Sequence, residues 1–597
     1  MKCNVSSPVA VVASLLGAIL LAVACVPPSP TLTGTERAAA APRAEKRIVY
    51  GVALAIDLRP TAATGPSLPT LTLLGAGLSS PDGQGGHVPR LADQVPSLAN
   101  GLWTLADSGT MVTTFHLRRG AQWHDGTPIT ADDFIFSLEV GSDGGVPAFR
   151  TQAYGSITQA TAPDPLTLRV EWNEPYIWAD ALFAWDQGYG VPLPRHLLED
   201  AYTTNRDGFL NLPYWDQEFV GSGPFKVASW DPGVGAQLVA HEGYTLGRPR
   251  IDRIDMLVIP DRNTLMANIL AGTVDVAPNL GSTDAGLQLR DQWQGGRVIV
   301  NPSNGTYTAL VPQFIDPTPA QVADLRFRTA LAVATDRQAL VDSIANGLSP
   351  VPLSFLNPNQ PQYAVLEATL PRYGYDVQRA GQLLTDMGSV RGPDGTLRDN
   401  TGTSLAVEVR SAAIGGAEAN ARAAAAIADG WQRIGVAATL AQVSPQLAGD
   451  REYQATFPGF LITPRPADVN GLRAYTSATV PLSSNNFTPF PGNVSRYRSV
   501  ELDELIAQYF RTVPVDERVM VLGRVVHHMV DQLTLLGLYY GVGMAAESHR
   551  LSGVGPSGIS RPSAGTLTNG MLPASCCTRR PIGGVRPRHP QGTLVLR

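Results

Sequence analysis

The chain has 597 residues, more than one hydrophobic core usually supports, so its length predicts two or more folded units. Hydrophobic residues make up 44% and charged residues 16% of the sequence, which excludes a mainly disordered chain. The formal net charge of −6 lacks the basic excess that contacts with nucleic-acid phosphates need. We therefore expect a folded, multi-lobed protein without a nucleic-acid partner.

The N-terminus has the pattern of a secretory signal. Lys2 precedes an apolar run from Val9 to Ala24, which is too short for a membrane-spanning helix of about 20 residues. The run ends in Ala-Val-Ala before Cys25, similar to a bacterial lipoprotein signal in which that cysteine receives lipid. We predict a signal peptide over 1–24 and a lipid-anchored, flexible tether over 25–46. Simple secretion and an uncleaved anchor are the alternatives.

The cysteine distribution excludes two kinds of site from the body of the protein. The four cysteines are Cys3, Cys25, Cys576 and Cys577, so none lies between Val26 and Ser575. No disulfide framework, cysteine-based metal site or cysteine nucleophile can therefore form there. The Arg- and Pro-rich tail from Met571 shows no periodic pattern, and we predict that it is disordered or out-of-frame sequence.

The first strong pattern in the body is a strand, a turn and a helix over 111–139. MVTTFHLR alternates as a half-buried strand does, and Asp-Gly-Thr-Pro over 125–128 is turn chemistry. Thr130 stands three residues before Asp133, as in a capping box, ahead of an amphipathic helix. His124 with Asp125 could instead be a general-base pair, but no partner nucleophile or metal pattern accompanies them. We interpret the stretch as structural.

Strand and helix signals alternate again towards the C-terminus. Asp376 can cap a helix that Gly388 ends, and two strands over 404–411 and 436–443 flank an Ala-rich helix. This order predicts a parallel strand pair with a crossover helix. Two helices over 325–347 meet at a Thr-Asp cap, and two further helices precede the Leu- and Tyr-rich strand LTLLGLYYG. The sequence therefore predicts an α/β fold.

Several ordered segments resemble the solute-binding proteins of ABC importers for peptides and nickel. They cover about 48–555 in the family's order and are WHDG with TADD, GSGPF, the helix before Gly272 and Asp275, Arg328 with Asp336 and Arg337, YDVQRAGQLL and YRSVELDELI. The resemblance implies an α/β, two-lobed, periplasmic-binding-protein-like clamp with a hinge and a discontinuous first lobe. It places the first lobe over 47–305 with an inserted subdomain at about 67–215, the second lobe over 306–530, the return to the first lobe over 531–560 and a tail over 561–597.

The resemblance also suggests where a solute binds. Peptide-binding members carry a Trp-x-x-Asp segment, and the corresponding stretch here has Phe460 and Thr463, with Arg465 beside them. A free α-ammonium then lacks its usual carboxylate partner, whereas an aromatic ring and an Arg suit a carboxylate or a flat group. We predict Phe460, Thr463, Arg465, Asn486 and Trp185 as solute-binding residues. Trp185 belongs to an aromatic patch with Trp178 and Tyr189, which could equally pack the first lobe's core.

These observations predict a receptor rather than an enzyme. We expect an extracytoplasmic, monomeric protein that captures a peptide or peptide-like solute and delivers it to a permease with its ATPase, with a membrane surface as a partner through the lipid anchor. We predict no cofactor, no metal and no catalytic residue. The alternatives are an extracytoplasmic enzyme on an α/β scaffold, and a sensor or chaperone that keeps the clamp without transport.

The lipid assignment can be tested directly. We expect Cys25→Ser to abolish labelling by radioactive palmitate and to release the protein from the membrane fraction, because the thiol is the acceptor of the lipid. Cys3→Ser is the matched control and should leave both unchanged. Unaltered labelling and membrane attachment in the Cys25 variant would show the assignment to be wrong.

Overall fold

The structure, a computed structural model, describes residues 45–53, 58–59, 68–82, 86–151, 153–184, 190–412, 416–444, 446–489 and 492–551. The predicted signal peptide, Cys25, most of the tether, Trp185 and the tail lie outside these residues, and the predictions for them stay predictions.

The strands of the described residues, in chain order, are β1 (Arg47–Val52), β2 (Ser79–Pro81), β3 (His87–Pro89), β4 (Trp103–Leu105), β5 (Met111–His116), β6 (Ile157–Asp164), β7 (Thr167–Trp172), β8 (Phe225–Asp231), β9 (Gly235–Ala240), β10 (Arg253–Val258), β11 (Val276–Ala277), β12 (Gly296–Asn301), β13 (Thr306–Pro312), β14 (Val390–Arg391), β15 (Leu397–Arg398), β16 (Ala406–Ser411), β17 (Ala437–Gln442), β18 (Phe460–Pro466), β19 (Leu536–Tyr540) and β20 (Gly543–Ser548).

The helices are α1 (Leu68–Leu74), α2 (Ala131–Ser142), α3 (Arg195–Thr204), α4 (Arg262–Leu270), α5 (Thr283–Gln292), α6 (Leu325–Val333), α7 (Arg337–Ile344), α8 (Pro361–Glu367), α9 (Val377–Asp386), α10 (Ala417–Arg433), α11 (Arg451–Ala455), α12 (Val500–Arg511) and α13 (Val515–Asp531). Short 3-10 turns occur between them, including Val469–Tyr475 after β18.

The first lobe is built on a seven-stranded sheet in the order β12-β20-β11-β1-β10-β9-β8. Its strands come from three separate parts of the chain, 47–52, 225–301 and 543–548. One face buries Tyr50, Phe225 and Leu238 in a core beneath the inserted subdomain, and the other face packs against α4 and α5 through residues such as Ile269 and Leu289. The predicted discontinuity of the first lobe is confirmed.

The inserted subdomain lies between β1 and β8 and carries its own antiparallel sheet, β4-β5-β7-β6. Helix α2 packs on this sheet, because its apolar stripe meets the inward-facing residues of β5 and β7. The resulting core includes Phe115, Trp123, Phe134, Leu168 and Trp172, all 1% exposed or less. The strand, turn and capped helix predicted over 111–139 are confirmed, with the capping box between Thr130 and Asp133.

The second lobe has a five-stranded sheet, β17-β16-β18-β13-β19, with helices on both faces. β16 and β17 are parallel and α10 connects them, as the sequence predicts. Gly435, with φ of 94°, follows the end of α10, where a left-handed residue stops the helix. Trp431 of α10 is fully buried between the helices and the sheet.

The chain returns to the first lobe about ten residues later than the predicted boundary at 531. β19 (Leu536–Tyr540) pairs with β13 and completes the second-lobe sheet, whereas β20 pairs with β11 and β12. The crossing therefore lies between Tyr540 and Gly543. β19 is buried at every position, so its apolar pattern fits either sheet and does not indicate which one it joins.

Candidate functional site

The carboxyl-terminal ends of the parallel strands in both lobes point to the same place, the pair of segments that connect the lobes. In the first lobe, β1, β10 and β11 share one direction, and β11 is antiparallel to β20, which begins just after the crossing. In the second lobe, β16, β17 and β18 share one direction, and β18 is antiparallel to β13, which begins just after the other crossing. Ligands of open α/β sheets bind beyond these carboxyl ends. The space between the two edges is the candidate site.

The two connecting segments are hydrogen-bonded to each other. The Asn304 amide donates to the Gly541 carbonyl at 2.6 Å, and the Gly541 amide donates to the Thr306 carbonyl at 3.0 Å. Asn359 of the second lobe donates from Nδ2 to Oδ1 of Asn301 at 2.7 Å. A paired double connection permits rotation of one lobe against the other while it resists their separation, which is how a hinge behaves.

On the second-lobe side, turns and a helix end follow the strands at this edge. After β18, Asp468 caps the turn Val469–Tyr475 by accepting from the Gly471 amide at 3.1 Å. After β16, helix α10 begins at Ala417, so its amino end lies at the same edge. The first amides of a helix carry partial positive charge and favour anionic groups. This edge is therefore suited to a carboxylate.

Arg465 lies one residue before the end of β18, close to the candidate site. It is 4% exposed; one guanidinium nitrogen donates to the Gly492 carbonyl at 3.1 Å, and the guanidinium lies 5.3 Å from the ring centre of Tyr475. Thr463 is on the same face of β18, further from the end, and is 7% exposed. Both side chains are held in position by their packing. Their contact with a solute stays a prediction.

Phe460 lies at the other end of β18. It lies five positions before Arg465, roughly 17 Å away at the rise of an extended strand. Its ring packs against Trp431 at 5.0 Å between centres and is 3% exposed. It also lines an interior cavity of about 10 Å³ with Arg328 and Leu331, which has room for one water molecule but not for a solute. This placement favours Arg465 over Phe460 as a residue of the cleft.

Asn486 and Trp185 are the remaining predicted residues. Asn486 is exposed in a loop, with φ of 52°, at the end of the 3-10 turn Ser483–Asn485. Trp185 belongs to the undescribed stretch 185–189, so its role stays a prediction. Among the described residues, Thr463 and Arg465 share one face of β18 and Phe460 lies at its other end, so the binding role of all five stays a prediction.

His124 connects the inserted subdomain to the segment that leads into β8. Its Nδ1 accepts from the Gly221 amide at 3.1 Å, so Nε2 carries the proton and donates to the Gly223 carbonyl at 3.2 Å. His241 Nδ1 lies 3.1 Å from the same carbonyl, and the two rings are in edge contact at 5.0 Å. Burial, with a smaller contribution from His241, lowers the pKa of His124 to about 3. The imidazole is thus a neutral structural brace.

The carboxylate of Asp133, at the start of α2, also has several hydrogen-bond donors. Asp133 accepts from the Thr130 amide at 2.8 Å, from the Arg195 amide at 3.0 Å and from Trp123 Nε1 at 3.4 Å. These bonds fix the start of α2 and hold α3 against it. A carboxylate with this many donors is a helix cap rather than a general base.

The lobes have a further contact that the sequence does not predict. Trp178 of the inserted subdomain packs on Phe510 of α12 with ring centres 5.3 Å apart, and Arg473 lies 4.2 Å from the centre of the Phe510 ring. Trp178 belongs to the aromatic patch noted in the sequence. The sequence around Phe510 and Arg473 gives no indication that these residues contact the other lobe. Pairing across lobes depends on the folded arrangement alone.

The described residues hold neither a metal cluster nor a membrane-spanning helix. They contain no group of three or more His, Cys, Asp or Glu side chains that could hold a metal ion. No helix within the same residues is both long and apolar enough to cross a membrane.

The sequence over 93–480 matches the family described as bacterial extracellular solute-binding proteins, family 5, middle region. The chain belongs to this family. The two-lobed α/β fold is also that of similar solved structures. The HbpA2 structure from Haemophilus parasuis has a TM-score of 0.71 and 18% identity, covering 88% of this chain and 100% of that one.

Two other similarities show the range of this family 5 protein's relatives. Heme-binding protein A of Haemophilus influenzae is 28% identical over 324 residues, which cover 50% of this chain and 55% of the relative. The match spans about half of that relative's length. An oligopeptide-binding protein of Thermus thermophilus, solved with a pentapeptide, has a TM-score of 0.61 at 20% identity and covers 85% of this chain and 92% of that one.

The His124 brace predicts a pH dependence of stability. Because its pKa is lowered from 6.5 to about 3 on folding, the unfolded chain takes up a proton that the folded one excludes. Stability from this group is complete above pH 6.5 and is lost as the pH falls towards 3, by about 2 kcal/mol at pH 5. Urea unfolding at pH 8 and pH 5 measures the difference.

The matched variants are His124→Gln and His116→Gln. His116 is an exposed histidine on β5 of the same subdomain. The His116→Gln variant should therefore lose as much unfolding free energy between pH 8 and pH 5 as the wild type does. His124→Gln should be less stable at pH 8 and should lose about 2 kcal/mol less on acidification. An equal loss in all three proteins would show that His124 is not the responsible group.

The positions of Phe460 and Arg465 predict different outcomes for their alanine variants. Arg465→Ala should reduce the amount of co-purified solute at least tenfold, because a charged hydrogen-bond donor beside the cleft is removed. Phe460→Ala should mainly lower the unfolding free energy, by about 3–5 kcal/mol, through loss of its packing on Trp431. Native mass spectrometry and chemical unfolding separate the two effects.

Arg372→Ala is the control, because this arginine is exposed on the second lobe. It should alter neither solute content nor stability. Unchanged solute content in both the Arg465 and Phe460 variants would remove these residues from the binding site.

Proposed function

We propose that this family 5 protein is an extracytoplasmic receptor that captures a peptide or peptide-like solute between its lobes and delivers it to the permease of an ABC importer. The main support is the convergence of the carboxyl ends of both sheets on one edge, beside a paired double connection. A solute bound there contacts both lobes, so its binding energy favours the closed form. A permease that recognises the closed form would then receive only loaded receptors.

The chemistry of the edge favours a solute that carries a carboxylate. Thr463 stands where peptide-binding relatives are expected to have an acidic residue, so the α-ammonium of a peptide lacks that partner here. Arg465 and the amino end of α10 both supply positive charge at or near the edge. Peptides and heme, which appear in the names of similar proteins, both contain carboxylates. We propose that recognition of this group dominates.

The cellular setting that we propose follows from the N-terminal sequence. Lipid on Cys25 would hold the body at the outer face of the cell membrane, with 25–46 as a flexible tether. The receptor would act as a monomer beside the permease, without a cofactor. We propose no catalysis, because His124 and Asp125, the candidates for acid–base chemistry, are engaged in hydrogen bonds with the backbone of Gly221, Gly223 and Thr127 and with the side chain of His196.

Identification of the natural solute tests the receptor function. We expect native mass spectrometry of gently purified protein to show a bound molecule of defined mass that carries a carboxylate and is released by denaturation. The recovered molecule, a mixed pentapeptide pool, heme and nickel with histidine are then compared by thermal shift and calorimetry. At 100 times the dissociation constant, a true solute stabilises the folded protein by about 2.7 kcal/mol.

The controls separate binding from chemistry. The solute should be recovered unchanged after incubation, whereas a product of altered mass would support an extracytoplasmic enzyme. Methyl esterification of the solute should weaken binding strongly if the carboxylate is recognised. Failure of the purified protein to retain or bind any of these molecules would contradict the receptor function.

A further inference from the structure

The inserted subdomain and the second lobe exchange apolar residues that do not belong to the connecting segments. Ile177 of the inserted subdomain is 3% exposed and belongs to the core cluster of the second lobe. Val513, in the loop between α12 and α13, is 4% exposed and belongs to the core cluster of the inserted subdomain. Each lobe thus contributes a buried side chain to the other's core, which is more than surface contact.

A continuous row of aromatic rings crosses the same boundary. Trp172 of β7 stacks on Tyr176 at 5.2 Å, Tyr176 meets Trp178 at 5.8 Å, Trp178 meets Phe510 at 5.3 Å, and Phe510 meets Tyr509 at 5.2 Å. Trp172 is anchored by its Nε1 bond to Thr113 at 2.9 Å in the core of the inserted subdomain. Because both ends of the row are buried, Trp178 and Phe510 are held in fixed orientations towards each other.

A cation lies over this contact. Arg473 lies 4.2 Å from the centre of the Phe510 ring, on the second lobe. Glu174 of the inserted subdomain is near enough for its carboxylate charge to act on the guanidinium. Arg473 is therefore attracted to both sides of the boundary, to a ring of its own lobe and to a carboxylate of the other.

We propose that Ile177, Trp178, Phe510, Val513 and Arg473 form an interlobe latch, which holds the lobes together without solute and sets how strongly any solute is bound. Its residues lie in the segment 174–178 of the inserted subdomain and, on the second lobe, in the turn Val469–Tyr475, at the C-terminal end of α12 and in the loop that follows α12. Rotation that parts the lobes would expose Ile177, Trp178 and Val513 to water. The latch therefore stabilises the arrangement of this structure, which is the closed form of the proposal, over an open one. A solute that needs the closed form then binds with an affinity scaled by the closed fraction.

The shape of the solute-free protein tests the latch. In the full-length chain we expect the double variant Trp178→Ala with Phe510→Ala to show a larger radius of gyration by small-angle X-ray scattering. Energy transfer should also fall between dyes on Asp107→Cys and Asp386→Cys, two exposed positions on the inserted subdomain and the second lobe. The four native cysteines are changed to serine in this labelled protein. Unchanged scattering and transfer would overturn the latch.

Two controls keep the result interpretable. Tyr375→Ala removes an aromatic side chain that is 48% exposed on the second lobe and should leave shape and energy transfer as in wild type. If the double alanine variant does not fold, Trp178→Phe and Phe510→Leu keep apolar volume while they disturb the ring contact, and partial opening is expected. A folded Trp178→Phe, Phe510→Leu protein with wild-type shape would also count against the latch.

The effect on affinity rests on the proposed receptor function, whereas the effect on shape does not. We expect the double variant to bind the solute identified by mass spectrometry about tenfold or more weakly and to regain the compact shape at saturating solute. If the double variant opens but no solute is found for the wild-type protein, the latch is retained and the receptor function is rejected. Opening with unchanged affinity would overturn the role of the latch in binding.

Discussion

The architecture depends on the double connection between the lobes. The amides of Asn304 and Gly541 bond across the two connecting segments, so the second crossing is fixed beside the first although the two lie more than 200 residues apart in the chain. This pairing aligns β20 with β12 and β19 with β13, and these strands set the direction of every neighbour in their sheets. The convergence of the carboxyl ends on one edge is a consequence of that alignment. The candidate site lies there because the chain crosses twice at the same place.

The WHDG segment supports the cleft without belonging to it. His124 and His241 both contact the Gly223 carbonyl, and the Gly223 amide donates to the Leu74 carbonyl at 2.9 Å. Gly223 has no room for a side chain, because an added Cβ would lie 2.4 Å from the Leu74 carbonyl carbon. The inserted subdomain is therefore fixed to the first lobe by a tight backbone junction, and the two can move as one body against the second lobe.

The sequence predicts those parts of the fold that depend on neighbours in the chain. The capping box at Thr130, the cap at Asp376 and the β16-α10-β17 unit involve residues close in sequence, so their patterns are local and were predicted correctly. Which sheet receives β19, and which end of β18 faces the cleft, depend on pairing between distant strands. For this reason the boundary at 531 was too early, and Phe460 and Arg465 could not be assigned to opposite ends of one strand.

The contact between Trp178 and Phe510 has a consequence for how the protein can change over evolution or in the laboratory. Residues at the cleft edge decide which molecule is accepted, and altering them changes selectivity and strength at once. The proposed contact between Trp178 and Phe510 would instead act on the closing equilibrium. In the proposed receptor, substitutions at this boundary would give a tight scavenger or a fast-releasing sensor for one unchanged molecule, so that selectivity and working concentration range could be adjusted independently.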